Sequence, residues 1–430
     1  MSFTKKTVKD ISLKGKRVLL RADYNVPIHA NGSITDDYRI TQSIPTLQYL
    51  QKQGASIVII SHLGRPKGPK DPSCTLRPIA KRLEKLLDHP VLFAEDCIGQ
   101  VATQAVADLK SGQILLLENL RYHPEEEAND TAFAQQLAAL ADVFVQDGFG
   151  VVHRAHASTS AITKFLPSVA GLLLEKEVDA LTNVMEKPVR PLMAVVGGAK
   201  IADKIDILNR FIELADFVVV GGAMANTFLL AKGVDVGNSL VEKADLHVAE
   251  SIMHKAQQEA KKRPFVFYLP QDGVVATKLD TRVTTRIVDW DAHVIADIEH
   301  YPKRPPERAS KIMDKEMILD IGPFSGAFIA GGMQLSNTVI WNGALGVTET
   351  PAVHDPTGPF AHGTETLVDA ILGKYGHRPY SVVGGGDTVG YIESRQLTGS
   401  FNHVSTGGGA SLELMSGKKL PGVEALLSKK

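Results

Sequence analysis

SVVGGGDTVG, residues 381–390, is the stretch on which the fold turns. Ser381, Val382 and Val383 form a short apolar run that stops at glycine, the pattern of a buried strand. Gly384, Gly385 and Gly386 permit backbone angles and close approaches that any Cβ would block. Asp387 and Thr388 stand where a helix would begin, with Asp387 placed as an N-cap or first-turn acid. Strand, bare turn and helix N-terminus together make an anion cradle, because several N–H groups point the same way. Asp387 beside such a cradle is placed to hold Mg²⁺, which takes one or two carboxylates plus phosphate oxygens. A capped tight turn would explain one such loop by itself, and the spacing matches neither the Walker A loop nor GxGxxG.

At 430 residues the chain exceeds what one hydrophobic core usually serves, so two domains are expected. Hydrophobic residues make up 44% and charged residues 22%, ordinary values for a globular protein. Balanced charge, 47 basic against 48 acidic residues, gives no motive for nucleic-acid or membrane-surface binding. Cys74 and Cys97 are the only cysteines and have no metal-ligand spacing, so no disulfide framework is expected. The start MSFTKKTVKD lacks the apolar core of a signal peptide, and no stretch holds about 18 uninterrupted apolar residues. A cytoplasmic enzyme is the expectation, although many binding proteins fit the same numbers.

Strands and helices alternate through the first 170 residues, the signature of a parallel α/β sheet. Strands are predicted at 17–21, 56–61, 91–93, 114–118 and 143–146, with helical patterns at 75–87 and 131–141. A longer helical pattern over 171–186 (Leu174, Val178, Leu181, Met185) is ended by Pro188 and Pro191 and reads as a connector. The second half starts again with strands at 193–196, 217–220, 265–269, 338–341 and 381–383. Residues 290–310, rich in charge and proline, read as an irregular surface excursion.

In open parallel sheets ligands sit beyond the carboxyl ends of the strands. In the first half those ends are polar and basic: Asp23, Asn25 and Arg39; His62 and Arg65; Asn119 and Arg121; Asp147, His153, Arg154 and His156. Any one of these arginines is better explained as a solvated charge. Several strand ends converging on one rim point instead to a small, strongly anionic ligand, since guanidinium suits phosphate and carboxylate. The second half ends its strands in glycine: Gly197-Gly198, Gly221-Gly222, Asn342-Gly343 and 384–386, with a further run at 407–409. Tightened strand–helix turns would explain two of these; five point to backbone approach by a nucleotide. Lys200 and Lys204 are expected four apart on one helix face after Gly198. A helix N-terminus disfavours cations there, so two lysines imply a compensating anion.

Taken together, these stretches resemble the phosphoglycerate kinase family. The resemblance is carried by RADYNVP (21–27), DDYRI (36–40), SHLGRP (61–66), LLENLRYHPEEE (116–127) and DGFGVVHRAHAS (147–158). In the second half it is carried by VVGGAKIADKI (195–205), VGGAMANTF (220–228), DIGP (320–323), WNGALGVTE (341–349), VVGGGDT (382–388) and HVSTGGGASLEL (403–414). They stand in the family's order and cover nearly the whole length. The resemblance implies an α/β fold of two Rossmann-like domains with parallel sheets, joined by a central helix and a hinge, with the active site in the interdomain cleft. The domains expected are 1–170, with 405–430 packing back on it, and 188–404, with 171–187 as the connecting helix. It also implies reversible phosphoryl transfer between 1,3-bisphosphoglycerate and MgADP, giving 3-phosphoglycerate and MgATP, by a monomer.

Carried over residue by residue, the triose-phosphate site falls on Asp23, Asn25, Arg39, His62, Arg65, Arg121 and Arg154. The nucleotide site falls on Lys204, Gly322, Glu349, Gly385, Gly386, Asp387 and Thr388, with Asp387 positioning the metal. Arg39, Lys200, Gly386 and Gly408 correspond to groups around the transferring phosphoryl. The chain departs from the family's pattern at Ala344 (usually Pro), Thr348 (Phe), Ala223 (Gly) and over 146–150, and 290–310 is longer than typical. Ala223 and Ala344 put base preference and affinity in question, but no phosphate-contacting residue is lost. A catalytically weak nucleotide-binding relative is the alternative. A dinucleotide oxidoreductase would need the GxGxxG spacing that 384–390 lacks.

Overall fold

RVLLR (β1, Arg17–Arg21) and SIVII (β2, Ser56–Ile60) are apolar without alternation, and both faces of each are buried. They pair in parallel with β3 (Val91–Ala94), β4 (Ile114–Leu117), β5 (Val143–Gln146) and β6 (Ser168–Ala170) in the order β3-β4-β2-β1-β5-β6. Side chains alternate between two cores. Val18, Leu20, Ile57, Ile59, Ile114, Leu116 and Val145 pack on one face, and Leu19, Val58, Ile60, Leu115, Leu117 and Phe144 on the other. Burial on both faces is why the middle of these strands is apolar, with polar residues such as Arg21 and Gln146 at their ends.

The computed structural model describes residues 3–29, 31–290, 311–350 and 357–429. The excursion expected over 290–310 lies outside the described residues apart from Trp290. The chain divides into two units, Met1–Thr182 with Thr406–Lys430, and Asn183–Ser405. The division falls inside the helix Leu172–Glu186. Its N-terminus is held by the Asp147 carboxylate, which accepts from the N–H groups of Leu173 (2.9 Å) and Leu174 (3.2 Å).

The second unit contains β7 (Leu192–Val196), β8 (Phe217–Val220), β9 (Val266–Tyr268), β10 (Asp272–Ala276), β11 (Arg286–Asp289), β12 (Met317–Ile321), β13 (Thr338–Asn342), β14 (Tyr380–Gly384) and β15 (His403–Val404). Its parallel sheet runs β9-β8-β7-β13-β14-β15, and β11-β10-β12 make a separate antiparallel sheet. In the parallel sheet the order reverses between β7 and β13, the switch point beside which doubly wound sheets bind ligands. In the first unit the corresponding reversal lies between β1 and β5.

Five strands were not expected: β6, β10, β11, β12 and β15. They are short, edge-placed or antiparallel, so they lack the continuous apolar run that marks a doubly buried strand. The helix expected from 75 begins at Arg77, because Glu118 takes the Thr75 hydroxyl and the Leu76 N–H. The helix expected over 131–141 ends at Ala138.

The C-terminal segment belongs to the first unit through backbone and buried polar contacts. Lys6 N donates to the Leu427 carbonyl, Gly422 N to that of Val152, and Leu427 N to that of Ser168. Thr406 donates both its N–H (2.6 Å) and its hydroxyl (2.7 Å) to Glu177 Oε1, and Glu177 is fully buried. A buried carboxylate that loses a donor keeps its desolvation cost. Thr406→Val, which keeps the shape, is therefore expected to destabilise this unit by about 1–3 kcal/mol. An unshifted urea transition would refute this.

Candidate active site

The strand ends of the first unit bring a cationic cluster together. Asp23, after β1, lies 3.4 Å from Arg39 Nη1 and 3.9 Å from His62 Nδ1. Arg39 Nη1 also donates to the Asn25 carbonyl at 2.8 Å, which fixes the guanidinium. The Asn25 amide oxygen accepts from Gly64 N, tying the loop after β1 to the loop after β2. Arg121, after β4, donates to the Gly64 carbonyl and pairs with Glu127, each at 2.8 Å. Arg154 donates to His153 Nε2, while the exposed Arg65 adds its charge at the rim.

His62 registers how dense the cluster is. Burial, and then Arg21, Arg121, Arg39 and Arg154, hold its imidazole well below the ordinary range. His62 is thus a neutral donor–acceptor. Burial lowers His153 as well and pushes His156 down to about 4. All seven residues expected at the triose-phosphate site lie at the carboxyl end of this sheet.

Two members of the cluster were not singled out from sequence. Arg21 is fully buried, donating from Nε to Ser158 Oγ (2.8 Å) and lying 3.3 Å from His62 Nδ1. Glu126, also buried, accepts from the hydroxyl (2.5 Å) and N–H (2.9 Å) of Ser158. The available signal was a charged residue closing the strand RVLLR, which folding without a partner would have made costly.

In the second unit a cavity of about 270 Å³ opens beside the switch point. Gly198, Gly222, Ala223, Leu345, Asp320, Glu349 and Asp387 are among its lining residues. Lys204 lies alongside, donating from Nζ to Asn342 Oδ1 (2.6 Å) and to the Asn342 carbonyl (3.2 Å). Burial pushes its ammonium down to about 8 against the opposing charge of Asp387 and Asp203. Gly385, in the left-handed region at φ +94°, turns the chain so that the helix Gly386–Ser394 begins at the cavity. Gly386 and Asp387 are exposed there with the free N–H groups of a helix N-terminus. Thr388 is buried instead, its hydroxyl accepting from Gly343 N at 2.9 Å.

Lys200 and Lys204 do not share a helix face. Only a short 3₁₀ turn, Ala202–Lys204, precedes the helix, which starts at Ile205 with Lys204 as its cap residue. The positive φ of Gly198 and the capture of Ile201 N by Glu242 (2.7 Å) keep the segment irregular, leaving Lys200 exposed.

The glycine strand ends also have a different cause from the one expected. A Cβ on Gly197 would meet the Ala344 carbonyl oxygen at 2.1 Å, one on Gly222 the Gly198 backbone, and one on Gly221 the side chain of Leu345. These glycines are demanded by loops packing on one another, whereas a Cβ on Gly386 would meet open space. Gly322 is buried behind the carboxylate of Asp272, which caps the helix Pro323–Leu335 through Phe324 N and Ser325 N. Gly408 belongs to the first unit, preceding the helix Gly409–Met415.

Asp320 was also missed. It is buried, accepts from Ile321 N (2.8 Å) and Gly363 N (2.9 Å), and burial pushes it up to about 8. Burial thus favours the uncharged form of this carboxyl on the cavity wall.

The phosphoglycerate kinase family model matches residues 8–418. Phosphoglycerate kinases of Pelotomaculum thermopropionicum and Moorella thermoacetica are each 44% identical over 427 residues, covering 99% of this chain and 100% of the relative. A solved phosphoglycerate kinase from Coxiella burnetii superposes with a TM-score of 0.77 at 35% identity, and one from Pyrococcus horikoshii with 0.81 at 30%, each covering 98% of both chains. The chain belongs to the phosphoglycerate kinase family.

Proposed function

We propose that this chain is a phosphotransferase that moves a phosphoryl group reversibly between 1,3-bisphosphoglycerate and MgADP, giving 3-phosphoglycerate and MgATP. The observation that carries the proposal is the division of labour: an arginine cluster around a neutral histidine in one unit, and a glycine-lined cavity with Lys204 and Asp387 in the other. Arg39, Arg65, Arg121 and Arg154 would hold the anionic triose, while Asp23, Asn25 and His62 orient it by hydrogen bonds. Lys204 and the N–H groups at Gly386–Asp387 would receive the nucleotide's phosphates, Glu349 its ribose hydroxyls, and Lys200 the transferring group. Phosphoryl transfer needs positioning and charge neutralisation rather than a protein nucleophile. The attacking oxygen is already ionised, so none is required.

The residues fit a Mg²⁺ carried in with the nucleotide. Asp387 offers an exposed carboxylate on the cavity lining, and one carboxylate plus phosphates is the usual protein share of a Mg²⁺ site. When bound, the ion would neutralise charge on the β- and γ-phosphates. Asp387→Asn is therefore expected to weaken MgADP about 10–100-fold while leaving ADP without Mg²⁺ and 3-phosphoglycerate nearly unchanged. Equal losses with and without Mg²⁺ would remove the metal role.

A coupled assay with 3-phosphoglycerate and MgATP, following acyl-phosphate formation, tests the whole reading. Absent turnover with intact nucleotide binding would favour the catalytically weak alternative. The same reading includes a cytoplasmic monomer. No helix among the described residues is long and apolar enough to cross a membrane. Reacting atoms must approach to about 3–3.5 Å, so ligands bound on separate units require closure about the helix Leu172–Glu186. The radius of gyration by small-angle scattering should fall most with both ligands present. No change in any liganded state would exclude closure.

A further inference from the structure

Cysteine and histidine spacing in the sequence gives no metal-ligand pattern, yet the sheet assembles one. β3 and β4 are neighbours, so the loops leaving their carboxyl ends meet. Asp96 and Cys97 follow β3, and His123 ends the turn Leu120–Tyr122 that follows β4. One ligand atom from each of the three, a carboxylate oxygen, the Cys97 Sγ and a ring nitrogen of His123, lies within 4.8 Å of the others. This is the first unit's edge, with β4 two strands and β3 three strands from β1.

We propose that Asp96, Cys97 and His123 form a binding site for a borderline-soft divalent transition ion of the Zn²⁺ class, separate from the Mg²⁺ of the nucleotide.

Three observations carry it. The first is the donor set: thiolate, imidazole and carboxylate are the Zn²⁺ ligand types, and three protein ligands with an open fourth position leave room for water. Hard Mg²⁺ would take the carboxylate but neither the thiolate nor the imidazole in preference to oxygen. The second is preorganisation. Asp96 Oδ1 accepts from Cys97 N at 2.7 Å and lies 2.8 Å from His123 Nε2, so the carboxylate already orients both partners. The ring of His123 is further fixed against Phe133, with centroids 5.4 Å apart.

The third is access combined with local charge. Cys97 is buried at 1% exposure, while the side chains of His123 and Asp96 are 24% and 39% exposed, so solvent reaches the cluster through them. The carboxylate of Asp96 supplies the local charge that favours a cation there. Tetrahedral ligation needs ligand atoms about 3.3–3.8 Å apart, so the Asp96–His123 pair at 2.8 Å opens slightly on binding. As the ion binds, the thiol proton leaves to solvent and the proton between His123 Nε2 and Asp96 Oδ1 moves to Nδ1 of the ring; no electron is transferred.

His123 is two residues from Arg121, which reaches the Gly64 carbonyl in the arginine cluster. Occupancy of the site is therefore expected to disturb Arg121 and lower turnover, an effect that rests on the proposed kinase reading. The binding claim does not rest on it.

The test is titration of the full-length reduced protein with Co²⁺ alone. The expected result is a thiolate-to-cobalt charge-transfer band that saturates at one ion per chain. Cys97→Ser should abolish the band, Cys74→Ser should retain it, and His123→Gln should weaken Co²⁺ binding at least about tenfold. His123 is partly exposed, so His123→Gln tests the site even if Cys97→Ser folds poorly by circular dichroism. No band, a band that survives Cys97→Ser in a folded protein, or unchanged affinity in His123→Gln would overturn the proposal.

Discussion

Arg39→Ala is expected to lower kcat by about 10²–10³-fold, the usual consequence of removing one preorganised donor from developing charge. Arg39 is already immobilised, with Nη1 bound to the Asn25 carbonyl and held beside Asp23, so it pays little reorganisation when charge develops opposite it. Its charge also acts on His62, which places it inside the cluster. The nucleotide KM should change little, because the cavity proposed for the nucleotide is built from the other unit. Arg39→Lys should recover only part of the loss, since an ammonium cannot present two parallel donors. Steady-state kinetics with both substrates varied decide it: a near-normal kcat in Arg39→Ala would end this role.

Lys204 is the second residue with a large expected effect. Its removal in Lys204→Gln should weaken nucleotide binding about 10–100-fold, the range for a charge-assisted hydrogen bond lost from a desolvated site. Its pH behaviour is more diagnostic. With a folded value of about 8, the free protein loses this positive charge just above neutrality. A bound phosphate restores the charge, so nucleotide binding at pH of about 8.5 should take up protons. Calorimetry in buffers of different ionisation heat would register the uptake in the wild type and its absence in Lys204→Gln.

The stability consequence has the opposite sense from the usual lysine. The folded value is depressed below the ordinary 10.5, so the unfolded chain holds more protons between about 8 and 10.5. The unliganded protein is penalised by the buried charge below about 8, and that penalty fades as pH rises through this window. Lys204→Gln should flatten the rise in stability over that range. An identical pH profile in the variant would show that Lys204 is not desolvated in solution.

Much of the architecture was legible because doubly buried strands have to be apolar throughout. RVLLR, SIVII, ILLL, LMAVV and FVVV announce themselves and are punctuated by the residues that follow them. The β10–β12 sheet carries no such mark. DGVVA and RIVD alternate only weakly and pair antiparallel, so their periodicity is lost among neighbouring loops. Asp23, Asn25, His62, Arg65 and Arg121 were visible for a related reason: they follow soon after strands.

By itself, then, the sequence determined the two α/β halves, the residues standing at the strand ends, and their sorting into arginine-rich and glycine-rich sets. These depend on local pattern, which is written in consecutive residues. Only the tertiary structure decided that Arg21 and Glu126 sit buried among those arginines. It alone showed that Lys200 and Lys204 part company, and that Gly197 and Gly222 are required by neighbouring backbone. It also brought His123 to Asp96 and Cys97. Each of these depends on which loops the strand order makes adjacent, and strand order is set by long-range packing that no short window of residues contains.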